Sequence, residues 1–301
     1  MRNSVPFLKV YQSFASDHLT MVMGHVLKSP SHQRDRPTRN PFKNALEMYR
    51  RYHVKPSAGE KVFLTLAGKA MEVTTDGKGF FQFELSTPRD VDTLEVTVAL
   101  ADFPTEYEHL KLEVHRPAEV IVSDIDDTIL VSHSTSLIRK LYLMLTKNHQ
   151  SRQAFDGVKV FYDSLKKGGT EPLFFYVSSS EWNLYDFLES FVADKQLPAG
   201  VFLLQDIKSG ILDLFRSGGG SHSHKKSKIE TLIKVYPEAE FTLIGDSGQK
   251  DPDIYQAVAL TYPEHIAKIY IRDVRKSRRS KVKQMASALK NSGVDMVFFS
   301  E

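Results

Sequence analysis

Hydrophobic and polar positions change rhythm near residue 118. Before it, Lys61 to Leu66, Gly79 to Leu85 and Leu94 to Ala99 are short β-prone runs, and Asp76-Gly77-Lys78-Gly79 supplies a turn between the first two. With a strand-like stretch from Leu19 to Leu27, they predict a small antiparallel β domain over residues 1–117. Ser29 to Lys43, rich in Pro, Arg, Asn and Ser, reads as an exposed loop. Asn44 to Tyr52 has the apolar spacing of a short helix. From Val120 onward, apolar runs alternate with helical patterns: Val120 to Ser123, Leu173 to Val177, Val201 to Leu204, Phe241 to Ile244, Ala267 to Ile271 and Met296 to Phe299. That alternation predicts an α/β domain over 118–301, with a parallel sheet covered by helices on both faces. Ligands of such sheets bind at the carboxyl ends of the strands, so the polar residues after each run are the place to look for chemistry.

Composition narrows the function classes. The chain has 301 residues and an ordinary soluble balance, with 41% hydrophobic and 26% charged residues. Lysine and arginine exceed the acids by only 40 − 37 = 3, too little to argue for nucleic acid. No cysteine is present, which excludes disulfides, thiolate metal sites and cysteine nucleophiles. No apolar run approaches the ~18 residues of a membrane span, and Met1 to Val5 leads into Pro6 without an apolar signal core. The expected location is cytoplasmic.

Four segments carry candidate chemistry. Val120 to Ser123 ends in Asp124-Ile125-Asp126-Asp127-Thr128, and side-chain alternation sends Asp124 and Asp126 toward one crevice. Carboxylates so crowded repel unless a hard cation such as magnesium joins them; the plainer reading is that Asp127 and Thr128 cap a following helix. Phe241 to Ile244 runs into Gly245-Asp246-Ser247-Gly248-Gln249-Lys250-Asp251, where two glycines allow tight turns and Asp246 with Asp251 could complete a metal site opposite Asp124. A serine-protease reading of Gly-Asp-Ser-Gly fails for want of a second glycine after Gly248, a cysteine framework and a partner histidine. Leu173 to Val177 gives way to Ser178-Ser179-Ser180, hydroxyls suited to phosphate oxygens or to a plain turn. Ser223 to Lys228 opens a helical pattern with Lys225, Lys226 and Lys228, any of which could offset phosphate charge or be solvated.

The order Asp-x-Asp-x-Thr, serine, lysine and Gly-Asp-x4-Asp resembles the haloacid dehalogenase superfamily. More narrowly, Val-Ser-Asp-Ile-Asp-Asp-Thr-Ile (122–129), Tyr-Val-Ser-Ser-Ser-x-Trp-Asn-Leu-Tyr (176–185), His-Lys-x3-Ile (224–229) and Leu-Ile-Gly-Asp-Ser-Gly-Gln-x-Asp-Pro-x-Ile-Tyr (243–255) resemble the actin-patch-type phosphatidate phosphatases and their bacterial relatives. The resemblance covers roughly residues 118 to 275 and extends more loosely over the N-terminal part. It implies a Rossmann-like sheet of the haloacid dehalogenase type and a phosphoric monoester hydrolase acting on phosphatidate or a related lipid phosphomonoester. The same site would serve a soluble phosphomonoester or phosphoprotein, and an inert phospho-ligand module is a further alternative. One departure is Glu181, where proline is expected before Trp182; it adds negative charge beside the phosphate pocket and bears on substrate choice.

In the mechanism that the resemblance implies, Asp124 attacks phosphorus, Asp126 is the general acid and then the base, and Thr128 orders the loop. Mg²⁺ is held by Asp124, the backbone carbonyl of Asp126, Asp246 and Asp251, while Ser178, Ser179 and Lys225 hold phosphoryl oxygens, with Lys228 the alternative to Lys225. Leu137 to Lys147 reads as a helix apolar on nearly every face: a cap over the site, or an element touching a bilayer. The basic stretch Arg272 to Lys283 reads as a solvated helical face or an attraction for anionic lipid; nucleic acid is disfavoured because no aromatic residue interleaves it. His222 and His224 beside a glycine-rich patch read as loop residues, and Trp182 as core or pocket wall.

Overall fold

A computed structural model describes residues 6–28, 55–125, 156–165, 171–194, 196–205 and 221–299; of 156–158, 187, 194 and 221–223 only the backbone is described. The expected loop at 29–43, the helices at 44–52 and 137–147, and Asp126, Asp127 and Thr128 lie outside these residues. The chain divides into two compact units, the first comprising 1–116 with 181–185 and 206–215, the second the remainder.

The first unit holds two antiparallel sheets. In one, β3 (Leu19–Lys28) pairs with β1 (Pro6–Val10), β2 (Phe14–Ala15), β4 (Lys55–Pro56) and β7 (Phe80–Ser86). The other runs β6 (Lys69–Thr74), β5 (Lys61–Leu66), β8 (Thr93–Leu100), β9 (Tyr107–Glu113). Strict alternation decides what is buried. Val62, Leu64 and Leu66 of β5, Phe81, Phe83 and Leu85 of β7, and Leu94, Val96, Val98 and Leu100 of β8 form one core with Val22 and Val26 of β3. β3 does not alternate, because its second face is covered as well: Met21, Met23 and His25 are buried, with Tyr11 and Trp182 against His25. Its Gly24 leaves room for Phe81, whose ring would lie 2.5 Å from an added Cβ. The expected turn at Asp76 is closed by its carboxylate, which accepts the N–H groups of Lys78 (2.8 Å) and Phe80 (2.9 Å), with Gly79 at φ +74°.

The second unit is built on a six-stranded sheet. β10 (Glu119–Ser123) pairs in parallel with β11 (Leu173–Glu181) and β13 (Glu240–Asp246), and β13 continues through β14 (Ile266–Arg272) to β15 (Asp295–Phe299). With β12 (Gly200–Gln205) at the other edge the order is β12-β11-β10-β13-β14-β15. Counted along the unit this is 3-2-1-4-5-6, which reverses direction between β10 and β13 and so opens a switch-point crevice at their carboxyl ends. These central strands are buried on both faces, which is why they read as unbroken apolar runs. Among the described residues five helices follow the strands: α1 (Asp156–Ser164), α2 (Tyr185–Asp194), α3 (Ser221–Val235), α4 (Asp251–Thr261) and α5 (Arg279–Lys290). Helix α4 packs on β13 and β14, and α5 on β15.

Three sequence expectations need correction. β11 does not stop at Val177 but continues through Ser178, Ser179 and Ser180 to Glu181, since none of these residues breaks a strand. Ser221 to Ser223 belong to helix α3 rather than to a loop, so His222 and His224 stand on its first turns; His224 Nε2 lies 3.2 Å from the Leu204 carbonyl. Arg272 is buried at the end of β14 and is no part of an exposed helical face.

Candidate active site

Register places Asp124, Ser178 and Asp246 at one end of the sheet. Ser123 lies opposite Tyr176 on one side and Ile244 on the other. Asp124 therefore follows β10 at the level of Val177 and Gly245, with Ser178 and Asp246 one residue further along their own strands. The Asp124 N–H donates to the Ile244 carbonyl at 2.8 Å, which carries the ladder one residue past the strand.

The turn after β13 shapes the acidic groups. Asp246 Oδ1 accepts the backbone N–H groups of Gly248 (2.5 Å) and Gln249 (3.0 Å), a local bond that folds the chain back toward α4. Asp251 opens α4 with Pro252 behind it, where a carboxylate complements the helix N-terminus. Its Oδ2 lies 3.4 Å from the Asp246 N–H. Gly245 is required here for space: an added Cβ would lie 2.6 Å from Asp251 Oδ2.

Helix α3 supplies the cation. Ile229, Leu232 and Ile233 face inward, and Lys225, one turn before Ile229, heads the same stripe. Its ammonium donates to Asp124 Oδ1 at 2.9 Å and to Asp251 Oδ1 at 2.7 Å, with all three side chains no more than 3% exposed. Burial alone would lower the Lys225 ammonium, but Asp124 and Asp251 outweigh it and hold its pKa well above the ordinary lysine range. Lys228 points elsewhere and donates to the Leu204 carbonyl.

Asp124, Asp246 and Asp251 each offer a carboxylate oxygen within 4.8 Å of the others, all buried. Among the described residues three buried carboxylates gather around one ammonium, an arrangement that a divalent cation would balance. The donors are all oxygen, the ligand chemistry that hard divalent cations select. The cluster thus fits a hard metal ion.

The hydroxyls divide. Ser178 is fully buried and its Oγ accepts the Ser180 N–H at 2.9 Å, while Ser179 is partly exposed. Ser247 Oγ accepts the N–H groups of Val274 and Arg275, both at 3.0 Å, so it anchors the chain after β14. Two residues that had no assigned role also belong to the site. Gln249 Nε2 reaches 3.5 Å from Asp124 Oδ2, and Tyr255 donates to the Ile244 carbonyl at 3.1 Å beneath Gly245. Their only signal was membership of the same short motif. Trp182 and Glu181 fall in the first unit, where Trp182 stacks on Tyr11 with centroids 4.2 Å apart.

A parallel α/β sheet with a buried lysine and three aspartates at its switch point defines the class. The family model "Phosphatidate phosphatase APP1, catalytic domain" matches residues 119–273, just over half of the chain, and the chain belongs to that family. It is 31% identical over 152 residues to phosphatidate phosphatase APP1 of Saccharomyces cerevisiae, and 28% identical over 154 residues to an uncharacterized protein of Schizosaccharomyces pombe. These matches take in 50% and 51% of this chain but only 25% of each relative's length. Among solved structures, a carbohydrate acetylesterase from Xanthomonas citri aligns with 98% of this chain and 68% of its own at 10% identity and a TM-score of 0.36.

Proposed function

We propose that the chain is a Mg²⁺-dependent phosphatase that hydrolyses phosphatidate or a related lipid phosphomonoester through an aspartyl-phosphate. The observation that carries this reading is the convergence of Asp124, Asp246 and Asp251 on one point with Lys225 among them. Family membership supports it, and the strand order supports a Rossmann-like sheet of the haloacid dehalogenase type over residues 118–301, with residues 1–117 as a separate β domain.

Asp124 attacks phosphorus, forming an O–P bond as the bond to the leaving oxygen breaks. Asp126, outside the described residues, gives that oxygen its proton and then takes one from the water that hydrolyses the acyl phosphate, releasing inorganic phosphate and restoring Asp124. Lys225, with Ser178 and Ser179, orients the phosphoryl oxygens and offsets their charge. Thr128, also outside the described residues, orders the loop. Asp124, Asp246, Asp251 and the Asp126 carbonyl would hold Mg²⁺, which supplies charge neutralisation at the transferring phosphoryl group. The expected setting is cytoplasmic, at the periphery of a membrane.

The test is phosphate release from phosphatidate in mixed micelles, a soluble aryl phosphate and a phosphopeptide, each with and without Mg²⁺. Wild type is expected to prefer the micellar lipid, and Asp124→Asn to stay folded while losing at least about 10³-fold in turnover. Retention of Mg²⁺-dependent release by Asp124→Asn overturns the nucleophile, and turnover of soluble esters alone overturns the lipid substrate.

A further inference from the structure

Beside the aspartate cluster the second unit carries a shallow cleft lined by Lys226 of α3, Lys250 before α4, Asp253, Ile254 and Ala257 of α4, and Arg278 and Lys281 at the start of α5. Two of its cations are chain neighbours of the residues that hold Asp124. Lys226 follows Lys225, and Lys250 follows Gln249, so Cα atoms ~3.8 Å apart present the carboxylate-binding groups inward and the cations outward. Four cations oppose one acid, a balance of 4 − 1 = 3. Lys281 is paired with Asp253 and Lys226 approaches Glu230 at 3.6 Å, whereas Lys250 and Arg278 have no carboxylate within ion-pair distance among the described residues. Arg278 donates to the Gln249 carbonyl, which fixes the position of its guanidinium. The positive field continues past the cleft onto exposed Arg275 and Lys276, next to Val274, an exposed apolar residue (42%).

We infer that this face docks on an anionic phospholipid bilayer, with Lys226, Lys250 and Arg278 receiving headgroup phosphates while the site beside them takes its substrate. Charge complementarity from three separate elements favours a polyanionic partner. The apolar floor of Ile254 and Ala257, the exposed Val274 and the lack of any aromatic ring among the described lining residues favour a lipid surface over a nucleic acid, which would need stacking partners. The inference rests on the lipid reading for its biological sense, yet binding to a lipid without a phosphomonoester tests it separately.

The 301-residue chain with chelator present should co-sediment with vesicles of phosphatidylserine and phosphatidylcholine, but not with phosphatidylcholine alone, and added salt should release it. The double variant Lys226→Gln/Lys250→Gln is expected to lose roughly 25-fold in vesicle affinity, about fivefold per charge. Lys69→Gln/Lys111→Gln, an equal charge change on the first unit, should lose less than about threefold. Equal losses in both double variants, no binding by wild type, displacement by millimolar inorganic phosphate, or tight RNA binding without vesicle binding each overturn the docking surface. Turnover of a soluble aryl phosphate, read in parallel, separates the outcomes: intact turnover without vesicle binding sinks only the surface, and intact binding without turnover sinks only the reaction.

Discussion

Gly245 and Asp251 cannot both carry side chains where they stand: a Cβ at 245 would lie 2.6 Å from Asp251 Oδ2 and 2.8 Å from Asp251 Cβ. Lys225 and the Asp246 N–H hold that carboxylate, and Tyr255 closes the far side at 2.8 Å from the same Cβ, so nothing yields cheaply. Gly245→Ala is expected to lose about 1–3 kcal/mol and to impair turnover by displacing Asp251. Chemical denaturation checks it against Gly77→Ala, where nothing lies within 4 Å and the loss should stay below about 0.5 kcal/mol. Equal stabilities for the two variants would contradict the packing argument.

Lys225 is the counter-charge of two buried acids, and its removal strands both. Lys225→Met keeps most of the methylene stem but leaves Asp124 and Asp251 without an ammonium, for an expected loss of about 3–5 kcal/mol measured by urea denaturation. Lys228→Met, which removes the donor to the Leu204 carbonyl, should lose no more than about 1.5 kcal/mol. A reversed ranking would mean that the two lysines have been assigned the wrong way round.

Much of this was legible in the chain. The parallel strands are legible because burial on both faces leaves only apolar residues, and Asp124 and Asp246 stand out because each ends such a run, with Asp251 in the turn motif that follows Asp246. The antiparallel part is less legible. β6, with its half-exposed pattern, and β1, of five residues, lack a strong period, whereas β3 is legible as a strand at Leu19 to Leu27 although its second face is packed. The choice between Lys225 and Lys228 needed the helix rotation, which Ile229 and Leu232 fix only once their burial is known. Gln249 and Tyr255 reach the site through turns whose geometry no spacing rule encodes.

His25 gives the first unit a pH dependence of definite sign. Burial, opposed by Asp76, lowers its pKa from 6.5 to about 4, and Tyr11 lies 3.1 Å from its Nδ1. The unfolded chain takes up a proton near pH 6.5 that the folded unit refuses until near pH 4, so stability falls as pH drops through that window. Between pH 7 and pH 5 the loss is about 2 kcal/mol. Denaturation at both pH values should show the slope in wild type and a flatter one in His25→Gln; parallel slopes would remove His25 as the cause.

Metal binding should appear as stability even without substrate. An ion that binds the folded aspartate cluster and not the unfolded chain raises stability by about 2.7 kcal/mol at a hundredfold excess over its dissociation constant, and chelation reverses the gain. Asp246→Asn separates metal binding from folding, because the amide oxygen can still accept the Gly248 and Gln249 N–H groups while one of three clustered negative charges is gone. Its melting temperature in chelator should equal or exceed that of wild type, since crowded carboxylates repel. On adding Mg²⁺ the wild-type curve should rise and the Asp246→Asn curve should hardly move. Equal Mg²⁺ shifts in the two proteins would show that the ion binds elsewhere, and a variant destabilised in chelator would show that Asp246 serves the turn more than the metal.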